Sequence, residues 1–263
     1  MILVAIAILS GLFFLLVAFG YLNFNSKVQS EIDSISNIES IQSVIKKNDL
    51  DSLPDLLKNY LLKVNITGNP LESNLYFEQN GKIRMYPSNK WLPFKAKQFM
   101  SADQPAFIWK ANSFPMLVRD KFMDGRGEMK INLLGIKNIE VATGTKIDQG
   151  SLTRYLGELP VYPNALLDNH IQWEVIDIDA LKATIQVNNT TVNGIFYFDR
   201  EGMITSFKTK RYMLDTLKDF TGIFNNYKII DGLIIPTELT AIWNLEEGDY
   251  PYFKCNIVNY ELK

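Results

Sequence analysis

Between Leu117 and Glu158 the acids Asp120, Asp124, Asp148 and Glu158 and the arginines Arg119, Arg126 and Arg154 stand out among residues of apolar type. Two carboxylates in different environments can divide acid and base roles. A guanidinium beside them can orient an anionic group or neutralise the acids. These seven residues are the polar-site candidates. No catalytic role is assigned to any of them, because no nucleophile or reaction-specific motif accompanies them. The plainer alternative is a structural ion network that pins a helix to a sheet.

The elements that must position these residues follow from spacing. Val118, Asp120, Phe122 and Asp124 share one parity and so one face of a strand. Asp124-Gly125 is a hairpin signal, since a type I′ turn needs positive φ. The return strand puts Met129, Ile131 and Leu133 on one face. If Asp120 and Asp124 face inward they need cationic partners. Asp148 is placed to cap a helix. Leu152, Tyr155, Leu156 and Leu159 form its apolar stripe, with Ser151, Arg154 and Glu158 on an adjacent polar stripe. Arg154 and Glu158, four apart, can pair.

Further chemistry is sparse. The 263 residues are 47% hydrophobic and 21% charged, with formal net charge −2. That balance disfavours nucleic acid as a principal partner. His170 is the single histidine and Cys255 the single cysteine. His170 reads as a surface residue and Cys255 as a core residue. No nucleotide-binding glycine motif and no cysteine- or histidine-built metal site is present, so no cofactor is expected. A metal site would have to be built from Asp120, Asp124, Asp148 and Glu158. The aromatics Trp91, Phe94, Phe107, Trp109 and Phe122, with Tyr155, are core by the simplest reading and candidates to line an apolar ligand pocket.

Residues 1–24 contain no charged side chain. About 20 apolar residues suffice to cross a bilayer core. The missing positive n-region and the length of the run favour an uncleaved, single-pass transmembrane anchor over a signal peptide. The side of the membrane is left open, because Lys27 is the only nearby basic residue. Residues 25–49 read as a helical stalk. Its stripe of Ile32, Ile35, Ile38, Ile41 and Ile45 can pack on the domain, on a protein partner or on the membrane. Residues 50–263 read as a single mostly-β domain. A short helix opens it at Leu53-Pro54. A hairpin is expected to turn at Asn80-Gly81, and an edge or bulge is expected at Pro93. Ten or eleven strands result. The expected fold class is α+β: a large curved antiparallel sheet, or partial barrel, wrapped around the helical segment 148–168.

The motifs Trp91-Leu-Pro-Phe94, Val118-Arg-Asp-x-x-x-Asp-Gly-Arg-Gly127, Asp148-Gln-Gly-x-x-x-Arg-Tyr-Leu-x-Glu158 and Gly232-x-x-x-Pro236 together resemble an uncharacterised bacterial family of membrane-anchored proteins, a domain of unknown function. The resemblance covers about residues 50–263. Its expected fold is more distantly similar to the periplasmic lipoprotein carriers and their outer-membrane acceptor, in which a partial barrel holds acyl chains. This analogy implies an extracytoplasmic location and contributes no site residues. The function expected is a membrane-anchored binding module for a lipid or other apolar ligand, with Arg119, Arg126 or Arg154 meeting its head group; the alternatives are an enzyme with a carboxylate and arginine site, or a structural subunit that docks through residues 32–45.

Overall fold

The computed structural model describes residues 1–36 and 43–263. Ile38 and Ile41 of the expected isoleucine stripe lie outside the described residues. A long helix α1 (Ile2–Ser36) comes first. A 3-10 turn (Lys47–Leu50) and a short helix α2 (Asp55–Lys63) follow. Six strands come next: β1 (Asn74–Ile83), β2 (Leu92–Ser101), β3 (Ala106–Ser113), β4 (Met116–Met123), β5 (Arg126–Leu133) and β6 (Lys137–Ala142). Helix α3 (Thr145–Gly157) then leads into 3-10 turns at Leu159–Val161 and Pro163–Leu167. The last strands are β7 (Ile171–Asp177), β8 (Ala180–Val187), β9 (Thr190–Phe198), β10 (Ile204–Met213), β11 (Thr216–Ile230), β12 (Leu233–Leu245) and β13 (Gly248–Leu262).

All 13 strands form one antiparallel sheet in the order β6-β5-β4-β3-β2-β1-β13-β12-β11-β10-β9-β8-β7. Only β1 and β13 join across a large sequence separation. A sheet this wide curls, because each strand is rotated relative to its neighbour. The curl encloses α3 and the 3-10 turns. Leu152, Tyr155, Leu156, Leu159, Val161, Tyr162, Ala165 and Leu166 are fully buried inside it. Each large apolar side chain removed from water contributes about 1.5–3 kcal/mol, and these rows fix the segment in place. Its polar groups find backbone partners: the Tyr155 hydroxyl donates to the Ser101 carbonyl at 3.0 Å, and that of Tyr162 to the Glu72 carbonyl at 2.9 Å. The half-barrel around a helical segment is the architecture expected.

Helix α1 lies on the other face of the sheet. Val28 and Ile35 are buried against Phe99, Ala106 and Ile108, with Phe24, Ile32 and Met123 at the margin. One unbroken helix thus runs from the apolar residues 2–19 into the first part of the expected stalk. Ile45 is not helical. It is buried in the main core, where its N–H donates to the Asn69 carbonyl at 3.0 Å, so it cannot share a helical stripe with Ile32 and Ile35.

Three local expectations are corrected. Asn80-Gly81 is not a turn: β1 runs straight through it, pairing Gly81 with Phe94 on one side and Cys255 on the other. Neither residue has positive φ. A Cβ at Gly81 would lie 2.4 Å from the Phe94 ring and 2.4 Å from the Lys254 carbonyl, so the glycine makes room for neighbouring strands. Second, the sheet has 13 strands among the described residues rather than ten or eleven, and β11 runs unbroken from Thr216 to Ile230. Asn225-Asn226 looks like a turn in sequence, but Asn226 takes φ 55° inside a continuous strand. Third, α3 starts at Thr145, with Gly144 in the capping position and no side-chain cap. Asp124-Gly125 is a hairpin turn as expected, with φ of 53° and 76°.

Candidate functional site

Above α3 the curled sheet leaves a cavity of about 500 Å³. Its walls are mostly apolar. Phe94, Trp109, Val118, Met129 and Ile131 come from one arm of the sheet, and Phe207, Phe220, Ile223, Leu239 and Phe253 from the other. The two arms face each other because α3 props them apart. Gly157 lets α3 come close: a Cβ there would lie 2.8 Å from the Phe207 ring. Two larger depressions, of about 730 and 960 Å³, carry lysine, asparagine and acidic side chains along their walls. The enclosed apolar cavity is therefore the candidate site.

Polar groups gather at the floor. Arg154 projects from α3 and donates from Nη1 to Asp120 at 2.7 Å and from Nε to Glu158 at 2.8 Å. Its Nη2 donates to Oε1 of Gln98 at 2.9 Å, and Nε2 of Gln98 donates back to Glu158. The guanidinium lies 4.7 Å from the Phe107 ring centre and 5.1 Å from that of Trp109. The Trp109 indole N–H donates to Gln79 at 2.8 Å. Burial pushes the Asp120 carboxyl up, and Arg154 only partly offsets this. Burial alone would lower the Arg154 pKa; Glu158 and Asp120 overcome it and hold the guanidinium charged.

Arg211 sits in the wall contributed by β10. It is stacked 4.7 Å from the Phe220 ring centre, and its Nη2 donates to the Gly150 carbonyl at 3.1 Å. Among the described residues its buried Nε has no hydrogen-bond partner. The floor is thus a nearly neutralised cluster, and the wall beside it carries a guanidinium with unused donors.

The expected site residues divide into several groups. Asp120, Arg154 and Glu158 converge at the cavity. Arg119 does not: it points through the other face of β4, where it pairs with Glu31 of α1 at 2.9 Å and with Glu128. Adjacent residues of a strand face opposite ways, so Arg119 and Asp120 cannot share a site. Asp124 and Arg126 are exposed at the β4–β5 turn. Asp124 does not face inward, because the turn lifts it out of the strand. Asp148 accepts the Gly127 N–H at 2.7 Å and pins the start of α3 to β5. Among the aromatics, Phe94 and Trp109 line the cavity. Phe107, Phe122 and Tyr155 are fully buried beneath it. Trp91 lies outside, under the Arg84 guanidinium at 4.7 Å. His170 is exposed beside Asp168, and Cys255 is a buried free thiol. Among the described residues no group of three or more His, Cys, Asp or Glu side chains is placed to hold a metal ion.

Gln98 and Arg211 are not among the residues that the sequence points to. Parity sets each on a strand face beside core residues, but does not say what that face meets. Gln98 shares a strand face with Phe94, Ala96 and Met100, and Arg211 shares one with Phe207.

A family model described as a family of unknown function, DUF6544, matches residues 43–255, including both central motifs. No curated protein matches the chain in sequence. Solved structures of similar fold include a LolA superfamily protein from Nitrosomonas europaea, 12% identical over 82% of this chain and 90% of that one, with a TM-score of 0.44. Another is a putative outer membrane lipoprotein-sorting protein domain from Vibrio parahaemolyticus, 10% identical over 73% and 86%, with a TM-score of 0.43. A third is a DUF1329 family protein from Desulfovibrio piger, 14% identical over 80% and 91%, with a TM-score of 0.46.

Proposed function

For a chain that belongs to the DUF6544 family of unknown function, we propose the role of a membrane-anchored binding module that takes a single amphiphilic molecule into the half-barrel. The observation that carries this reading is the cavity of about 500 Å³, walled by aromatic and aliphatic side chains and floored by a paired ionic cluster. A volume of that order suits one acyl chain or a compact apolar ligand. Residues 2–19 are the anchor and α1 from Gly20 onward is the connection to the domain. The ligand's polar head meets Arg211, whose donors are not used up by a carboxylate, rather than Arg154, which is. Asp120 and Glu158 are both hydrogen-bonded to Arg154, the arrangement of a structural ion network.

The test is photo-crosslinking of a diazirine-bearing fatty acid to the full chain in nanodiscs, with adducts mapped by peptide mass spectrometry. Adducts on the peptides of Trp109, Ile131 and Phe253 are expected. They should disappear in Gly222→Phe, which fills the cavity from a position where a Cβ has only ordinary contacts, 3.8 Å at closest. Adducts confined to residues 2–24, unchanged by that substitution, would sink the proposal.

A further inference from the structure

Helix α1 and the sheet meet at a point that orients the domain. Gly20 is the first buried residue of α1. It packs on Gly135 in the turn between β5 and β6, and a Cβ at Gly20 would lie 2.6 Å from the Gly135 carbonyl oxygen. From there α1 runs down the outer face of the sheet, with Asn25 accepting from Lys110 at 2.9 Å and Glu31 from Arg119 at 2.9 Å. In the other direction residues 2–19 project beyond the sheet, and the apolar window of α1 is 0% buried. At about 1.5 Å per residue this segment is about 27 Å long, close to the hydrocarbon thickness of a bilayer.

The end of the sheet from which it projects is itself apolar. Phe114, in the β3–β4 turn, is 86% exposed, and Ile136, in the β5–β6 turn, is 41% exposed. The two turns are joined: the Leu134 N–H donates to the Pro115 carbonyl at 2.9 Å. The cavity's mouth is at the same end. Met85, Leu92 and Ile139 line the cavity, are exposed, and lie at or near the ends of β1, β2 and β6 beside these turns. Exposed apolar side chains gathered at one end are costly in water and mark a contact surface.

We propose that the rim made by Phe114 and Ile136 sits in the headgroup layer of the bilayer that holds residues 2–19, so that the cavity mouth faces lipid. The partner is the bilayer itself, because the apolar helix leaves the domain at Gly20, directly against the same turn. This rests on the reading of residues 2–19 as the anchor and not on ligand binding. It gives an amphiphile a path from the membrane into the half-barrel without crossing bulk water.

The experiment is depth quenching on the full chain in liposomes, in a Cys255→Ser background. An environment-sensitive fluorophore is placed at Phe114→Cys, Ile136→Cys, Phe13→Cys and Gln104→Cys, and lipids carry nitroxides on the head group or the acyl chain. Gln104 is exposed in the β2–β3 turn at the opposite end of β3, whose 8 residues span about 26 Å at about 3.3 Å per residue. Headgroup nitroxides should remove most of the emission at Phe114 and Ile136 and leave Gln104 unchanged. Acyl-chain nitroxides should quench Phe13. Quenching of Phe13 without quenching at Phe114 and Ile136 would overturn the rim while keeping the anchor. No quenching at any of the three would overturn both.

Discussion

Arg154 of α3 and Asp120 of β4 meet at 2.7 Å under the floor of the cavity, and this pair is the electrostatic bond between the central helix and the sheet that wraps it. Both side chains are largely buried, and Glu158 occupies the remaining edge of the same guanidinium. The one cation is hydrogen-bonded to two carboxylates at once. Its removal is therefore not equivalent to removal of either acid.

Arg154→Met should destabilise the protein by about 3–5 kcal/mol, because it strands two buried carboxylates. Asp120→Asn should cost clearly less, since Arg154 keeps Glu158 and Gln98. Urea melts of both variants check this. Equal losses would show that the cluster does not act through its single cation.

The pH dependence of the pair has a definite sign. Burial raises the Asp120 carboxyl above its unfolded value, so the native state holds a proton that the unfolded chain has released. In that window the native state binds more protons, and stability falls as pH rises. The loss begins near the ordinary carboxylate range and is complete above the raised value. Asp120→Asn removes this contribution, so the stability of the variant relative to the parent should rise with pH across the window. Melts between pH 3.5 and 7 measure the difference. A difference that shrinks with rising pH would show that Arg154 dominates the titration.

The glycines around Phe207 and Phe224 separate packing from binding. Gly194→Ala would place a Cβ 2.2 Å from the Phe207 ring and should destabilise by about 1–3 kcal/mol. At Gly222 a Cβ meets nothing nearer than 3.8 Å, and the rest of a Gly222→Leu side chain extends into the cavity. The substitution should keep the melting temperature within a few degrees while abolishing ligand uptake. Thermal melts and the photo-crosslinking yield read the two effects independently.

Arg211 should set head-group preference. Arg211→Met is expected to weaken binding of a fatty acid about tenfold or more, in line with about 1.5–3 kcal/mol for a charge-assisted hydrogen bond. Binding of the corresponding methyl ester should change little. Competition against a fluorescent fatty acid gives both affinities. Equal weakening of acid and ester would point to lost packing on Phe220 and not to lost charge.

Much of the fold was legible in local pattern. Alternation marked most strands, the stripe Leu152, Tyr155, Leu156 and Leu159 marked the central helix, and Asp124-Gly125 marked its turn. Asn80-Gly81 misled because a turn dipeptide and a close-approach glycine look alike in sequence. The Phe94 ring that requires Gly81 belongs to another strand. The site was half legible. Arg154 and Glu158 announced their pairing by helical spacing, and Asp120 by parity with Val118 and Phe122. Arg211 did not, since nothing near it in sequence says that β10 faces β4 across a cavity.

The sequence by itself determined the apolar helix at the N-terminus, the antiparallel character of the sheet and the segment it encloses, because these depend on periodicities of two and 3.6 residues within single elements. Only the tertiary structure decided which charges meet. Arg119 and Asp120 are neighbours in the chain and lie on opposite sides of the sheet, one against α1 and one beneath the cavity. Arg154 and Asp120 are 34 residues apart and in contact. Burial of a charge demands a partner, but which partner is set by the curl of the whole sheet, and that is a property of 13 strands together.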